Sequence, residues 1–296
     1  MTSIEEYLKE KHGKPVVSRL EHRIRGGANN AKGNTFETDF AVHTIAQLYV
    51  LGGDHKSTEI LTQAVDLVDD LVCENPTLGT KENYQLKNSP TIRWGSGIAD
   101  DFAIQQDVNT NFYNIPSSKT ILVISDENCH RRLTKKIPEI IKTHSACVYF
   151  KSETFNSLLA SNDPQIQPFK ELCAFPNDPD KVTTVWQALN GAWTTNRANS
   201  VTALKIVEAA AQGFKPYYFK LNAGADIPES LKAILDKVDG LSYSVCNGFL
   251  VYDIKGCLEG TIQIDSDSLN ELETKLSNNP VTDWSSFIDV ISRGDV

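Results

Sequence analysis

Apolar residues recur at helical spacing in some stretches of this chain and in short blocks or alternation in others, and the two periods separate its elements. Residues 3–12 predict a short helix. Phe36, Phe40, Ile45, Leu48 and Tyr49 form one apolar face of a second helix, opened by Thr35-Phe36-Glu37 and ended after Leu51 by Gly52-Gly53. Between these helices, Arg25-Gly26-Gly27 to Gly33-Asn34 has the glycine and asparagine density of a loop. Strands are expected at 59–65, 67–73 and 83–88, the last two joined by the turn-forming run Asn75-Pro76-Thr77-Leu78-Gly79. A helix over about 97–108, the apolar strand 120–125, a helix over about 129–143 and a strand at 146–150 complete an α/β block.

Ser161-Asn162-Asp163-Pro164 marks a boundary, dividing the chain into residues 1–160 and 165–296. Beyond it the pattern predicts helices over 180–192, 199–212 and 228–238, and strands at 217–221, 242–246, 248–254 and 260–264. A last helix opens near Asp267 or Ser268, with Glu271 placed for a capping box. The expected fold class is α/β: a mixed sheet flanked by helices, with a smaller α+β C-terminal domain. No repeat or low-complexity tract interrupts it.

Composition changes this picture little. Forty per cent hydrophobic and 23% charged residues are ordinary for a globular chain. No run of 18 apolar residues suggests a membrane span, and the polar start Met1-Thr2-Ser3-Ile4-Glu5-Glu6 does not resemble a signal peptide. The six cysteines are scattered, with no Cys-x-x-Cys, so reduced thiols and a cytoplasmic location are expected.

Charge is more informative. The net charge is −9, yet from Leu221 onward there are 13 acidic and 5 basic residues, so the first 220 positions are nearly neutral. Basic clusters fall in that first part, at Lys9 to Arg25 and at His130-Arg131-Arg132 with Lys135-Lys136. Solvated helix faces and a phosphate footprint both produce such clusters. The acidic final third is a poor surface for nucleic acid and suits a basic partner.

The candidate chemistry sits on the two strands joined at 75–79. Val68-Asp69-Asp70-Leu71-Val72 carries an acidic pair, and Tyr84-Gln85-Leu86-Lys87 carries a carboxamide and an ammonium on one face. Phosphodiester hydrolysis requires an in-line water and neutralised non-bridging oxygens, which Mg²⁺ or Mn²⁺ supplies. Mg²⁺ takes one or two carboxylates plus waters and substrate oxygens. Asp70 or Asp69 can provide the carboxylate, Gln85 a neutral oxygen, and Lys87 a group that holds the water or offsets transition-state charge. Adjacent strand residues face opposite sides, so only one aspartate points inward, and periodicity does not decide which.

Other chemistries fit less well. Gly33 is not followed by Lys-Ser/Thr at P-loop spacing, and the six histidines, His43 and His55 among them, have no ligand-spaced partners. Ser96 in Trp94-Gly95-Ser96-Gly97 lacks the frame and partners of a nucleophile elbow. Trp94 beside Arg93 suits either stacking on a base or a place in the core.

Together these residues resemble the PD-(D/E)xK nuclease superfamily, in the variant whose last motif is Gln-x-Lys. More narrowly they resemble the effector nuclease domains of bacterial anti-phage systems, both cyclic-oligonucleotide-signalling (CBASS) effectors and Lamassu-type SMC complexes. The resemblance covers roughly residues 20 to 150. It matches the Gly-rich loop leading to Glu37 as a helix acid, then Asp69-Asp70-Leu71, then Gln85-Leu86-Lys87. Gln85 departs from the commonest form, where an acid stands. The resemblance implies a metal-dependent DNA endonuclease with Asp70 (or Asp69), Glu37 and Gln85 around the metal. It also implies activation by self-association or by a partner such as an SMC-type ATPase. A non-cleaving DNA-sensing or structural subunit would carry the same residues, and an interaction module acting through the acidic C-terminal region is a third possibility. Whether DNA or RNA is the substrate is not legible.

Overall fold

The apolar run that ends in Leu122-Val123-Ile124, all fully buried, is the centre of a six-stranded sheet. The computed structural model describes residues 3–30, 35–62, 64–95, 97–214, 216–221, 227–246, 248–264 and 266–292. The chain divides into two compact units, Met1–Pro168 with Trp186–Ala210, and Phe169–Val185 with Ala211–Val296. The segment 186–210, beyond the expected boundary at 161–164, thus belongs to the first unit.

In the first unit, α1 (Ile4–His12) opens with a capping box between Ser3 and Glu6 and is followed by α2 (Lys14–Asn30). Then come α3 (Thr35–Leu51), β1 (Glu59–Leu61), β2 (Leu71–Asn75), β3 (Thr80–Lys87) and α4 (Ile98–Asp107). The order continues with β4 (Ser117–Ile124), α5 (Glu127–Thr134), β5 (Ser145–Tyr149), α6 (Phe155–Ala160) and α7 (Gln167–Leu172), whose residues from Phe169 on belong to the second unit. Helix α8 (Pro179–Asn196), β6 (Val201–Thr202) and α9 (Ala203–Gln212) follow, with residues 186–210 completing this unit. The strand order is β5-β4-β3-β2-β1-β6. β1, β2 and β3 pair antiparallel, whereas β3, β4 and β5 run parallel, with α4 and α5 in the crossovers.

The two faces of the sheet are covered differently. Phe40 of α3 meets Tyr84 of β3 at 5.2 Å and Phe150 beyond β5 at 5.2 Å, so α3 lies on the Tyr84–Leu86 face. On the opposite face Leu122, Ile124 and Cys147 pack with Phe102 of α4 and Cys129 and Leu133 of α5. Helices α1 and α2 contribute Leu8, Val16 and Leu20 to a cluster with Leu67 and Val108. Tyr7 and His12 fasten α1 to Asp107, each at 2.8 Å.

In the second unit, α10 (Glu229–Leu235), β7 (Leu241–Cys246), β8 (Phe249–Ile254), β9 (Leu258–Gln263), α11 (Ser266–Asn278) and α12 (Trp284–Ser292) form an antiparallel meander with helices. Leu231, Leu250, Leu276 and Phe287 are fully buried at its core. Lys181 is also buried here, 2.7 Å from Asp253, 3.2 Å from Asp178, 3.7 Å from Glu259 and 4.4 Å from the centre of the Phe175 ring. Burial alone would lower its pKa, but the hydrogen bonds it donates to Asp253 and Asp178 leave it raised.

Several expected boundaries are corrected. Residues 25–30 are helical, as the end of α2, rather than loop, while 31–34 lie outside the described residues. The strand expected at 59–65 shrinks to 59–61 and that at 67–73 shifts to 71–75, because Asp66 and Asp70 lie outside the ladder and their carboxylates bond to groups of β3. Helix α5 ends at Thr134 rather than near 143, because Pro138 disfavours helix before it. The strand expected at 217–221 is a single bridge, Cys173 to Phe219, and α12 was not foreseen.

Candidate functional site

The ladder between β2 and β3 ends at the pair Leu71–Tyr84, but β3 continues three residues further, to Lys87, along β4. The strands part there, and the Asp70 carboxylate occupies the fork. Its Oδ2 accepts the Leu86 backbone N–H at 2.7 Å, standing in for the lost ladder acceptor. The same oxygen accepts from the Gln85 carboxamide and lies 3.6 Å from the Lys87 ammonium. Asp70 is 20% exposed and Lys87 36%, whereas Gln85 is buried. One carboxylate, one carboxamide and one ammonium therefore converge at a solvent-accessible notch. It lies at the C-terminal end of β3, the first of three parallel strands.

The notch is built by a polar stripe that the sequence pattern disguises. Lys81, Asn83, Gln85 and Lys87 alternate with Glu82, Tyr84 and Leu86, as on a strand with one wet face. Yet Lys81, Asn83 and Gln85 are buried, as are Tyr84 and Leu86 on the other face. What covers the stripe is the irregular segment 64–70. Asp66 lies 3.0 Å from Lys81, accepts from Asn83 at 3.1 Å and accepts from the Tyr113 hydroxyl at 3.2 Å. Asn83 donates to the Val68 carbonyl at 3.0 Å. Gln105 of α4 accepts the N–H groups of Leu67 at 2.7 Å and Val68 at 3.3 Å. Gln105 donates to Asn109 at 3.0 Å, and Asn109 to Asn83 at 3.0 Å. Backbone groups left without a strand partner are satisfied by side chains, and Asp70 is delivered to the fork at the end of the segment.

Of the residues singled out by the sequence, Asp70, Gln85 and Lys87 meet in this way. Asp69 is buried. Because the pair precedes β2, strand alternation does not apply to it. Glu37 lies on α3 one turn ahead of Phe40, hence on a helix covering the face of β3 opposite to Gln85 and Lys87. Two further titratable groups lie on that helix. Burial lifts the Asp39 carboxyl to about 6 and lowers His43 to about 4.

The fit of a divalent cation rests on oxygen donors. Among the described residues no group of three or more His, Cys, Asp or Glu side chains is placed to hold a metal. Glu37, Asp69 and Asp70 are thus not gathered into a three-carboxylate cage. Asp70 Oδ1 and Gln85 Oε1 are the donors a hard cation would use here, within the one or two carboxylates Mg²⁺ takes. Ser96 lies outside the described residues. Trp94 is buried, donating to the Leu133 carbonyl at 2.9 Å and packing edge-on against Phe102, so it is a core residue and not a stacking platform. The positioning residues Asp66, Lys81 and Asn83 were missed. The only trace in the sequence is four polar residues alternating along a strand, a pattern that a solvated face shares.

No helix among the described residues is long and apolar enough to cross a membrane. Comparison with protein-family models, with curated proteins and with solved structures returns no match.

Proposed function

We propose that the first unit is a metal-dependent DNA endonuclease of the PD-(D/E)xK kind, acting as the effector subunit of a bacterial defence complex. The observation that carries this reading is the meeting of Asp70, Gln85 and Lys87 where β2 and β3 part. A mixed sheet flanked by helices is the scaffold that the resemblance implies. When bound, Mg²⁺ or Mn²⁺ would supply charge neutralisation on the scissile phosphate and a more acidic water. Asp70 and Gln85 would hold the ion. Lys87, partly exposed and tethered by Asp70, would orient the attacking water and offset charge on the phosphate oxygens. Glu37, on the helix over the other face of β3, and the buried Asp69 have no part at the ion in this proposal. Restraint in the host would come from dependence on self-association or on a partner such as an SMC-type ATPase, with the acidic second unit as the docking part.

A second reading has its own observation. The Gln85 amide nitrogen, not its oxygen, faces Asp70, and three donors converge on one carboxylate oxygen. That arrangement also suits a purely structural lock, and hence a non-cleaving, DNA-sensing subunit.

Plasmid cleavage with Mg²⁺ or Mn²⁺, in the presence of the proteins encoded beside this one, separates the two. The endonuclease reading expects cleavage by the wild type and its loss, by 10²-fold or more, in Lys87→Ala and Asp70→Ala. Cleavage that survives both substitutions would remove the site assignment. DNA binding without cleavage under every activating condition would favour the second reading.

A further inference from the structure

The chain leaving the notch runs into a basic groove. From Lys87 it passes through Asn88 and Ser89 to the loop 90–94, which lies along α5 and encloses a groove of about 600 Å³. Arg93, Arg132 and Lys136 line it, all exposed, together with Pro90 and the edge of Trp94. Among the described residues no acidic side chain lines it and no ion pair involves these three cations. On a chain of net charge −9 this is a concentrated exception.

The groove is held in shape although the loop has no regular structure. Arg132 donates to the carbonyls of Pro90 at 3.2 Å and Ile92 at 2.9 Å, and Trp94 donates to Leu133 at 2.9 Å. These bonds tie the loop to the helix at both ends. A guanidinium has five N–H donors, so Arg132 keeps others for a ligand while its position is fixed. The root of the loop is tied too, where Ser125 at the end of β4 donates to Asn88 at 2.7 Å. Three residues of extended chain span at most about 10 Å. A nucleic-acid strand advances about 3.4 Å per phosphate, so the backbone at the mouth of the groove lies within the span of roughly three phosphates of the Lys87 backbone.

We infer that the Arg93–Arg132–Lys136 groove holds the phosphodiester backbone of nucleic acid, a few phosphates from the bond presented to Asp70, Gln85 and Lys87. This inference builds on the proposed nuclease site and extends it to how the substrate is tracked. Contacts to phosphate position a strand without reading its sequence, so the groove confers affinity and register, not base preference.

The experiment measures binding rather than cleavage, so it fails independently of the nuclease reading. A fluorescent DNA duplex is titrated with the full chain in EDTA between 50 and 200 mM salt. Wild type is compared with the double variant Arg93→Gln/Lys136→Gln. Arg132 is left intact because it braces the loop, and the far-UV spectrum and melting midpoint of the variant establish folding. Removing two phosphate contacts should lower the slope of log affinity against log salt by about 2, and shrink the affinity lost across that range by about tenfold. An unchanged slope in the double variant, or no DNA binding by the wild type, would overturn the groove assignment whether or not the protein cleaves. Displacement of the duplex by low millimolar inorganic phosphate would also overturn it, marking a site for free phosphate instead.

Discussion

Lys81 and Asp66 form a buried ion pair whose disruption should cost far more than any surface charge. Both are almost fully buried, 4% and 1% exposed at the side chain, with the ammonium 3.0 Å from the carboxylate and 3.8 Å from the centre of the Tyr113 ring. Lys81→Met preserves most of the side-chain volume and removes the ammonium, with its charge and its N–H donors. It leaves Asp66 with the neutral donors Asn83 and Tyr113, which cannot compensate a buried anion. Breaking one partner of such a pair destabilises by about 3–5 kcal/mol. With a urea slope of about 2–3 kcal/mol per molar, the unfolding midpoint should fall by roughly 1.5 M. Asp66→Asn removes the anion and keeps one acceptor oxygen for Asn83, while the Tyr113 hydroxyl can turn to accept from the new amide N–H. The double variant should therefore recover at least about 2 kcal/mol relative to the sum of the single changes, a coupling that a double-mutant cycle isolates. The same pair anchors the segment that carries Asp70 to Leu86. Exchange of the Leu86 amide should accelerate in Lys81→Met before global unfolding sets in. A Lys81→Met midpoint within about 0.5 M of wild type, or additive single and double variants, would refute the view that this buried network positions the site.

Three further outcomes follow from the geometry. Burial sets Asp39 and His43 against each other. Native Asp39 titrates at about 6 against 3.8 unfolded, so its contribution is full below 3.8 and is lost as pH rises to 6. Native His43 titrates at about 4 against 6.5, so stability is lost as pH falls from 6.5 to 4. The slopes nearly cancel between pH 4 and 6. Urea titrations of Asp39→Asn should reveal a stability that climbs with pH by up to about 3 kcal/mol over that window, and a flat profile would contradict it. Asp107→Asn should loosen α1 by about 1.5–3 kcal/mol, because it weakens the bonds from both Tyr7 and His12. The expected sign is early proteolysis near residues 12–14 in the variant. Lys181→Met should destabilise the second unit by about 3–5 kcal/mol, leaving Asp253 and Asp178 without their cation. A calorimetric transition of that unit at the wild-type temperature would oppose this.

Helix α3, the apolar strand β4 and the β2–β3 hairpin were legible in the sequence because each is fixed by local information. Apolar residues at helical spacing stop at Gly52, whose φ of 73° suits glycine, and the run 120–124 is too apolar to lie anywhere but inside. The hairpin follows from Asn75 and Gly79, where Asn75 accepts the Leu78 N–H at 2.9 Å and Gly79 takes a φ of 61°. Gln85 and Lys87 share a face through alternation alone. Which carboxylate meets them was not local information. Asp69 and Asp70 precede β2, and their directions depend on a segment held by Gln105, Asn83 and Lys81, which come from a helix and a strand distant in sequence. Burial of the polar stripe was likewise undecidable from pattern, since a solvated face and a partnered buried face have the same alternation. Only tertiary packing supplies the partners that make a buried lysine and aspartate tolerable, and here those partners also carry Asp70 to the fork beside Lys87.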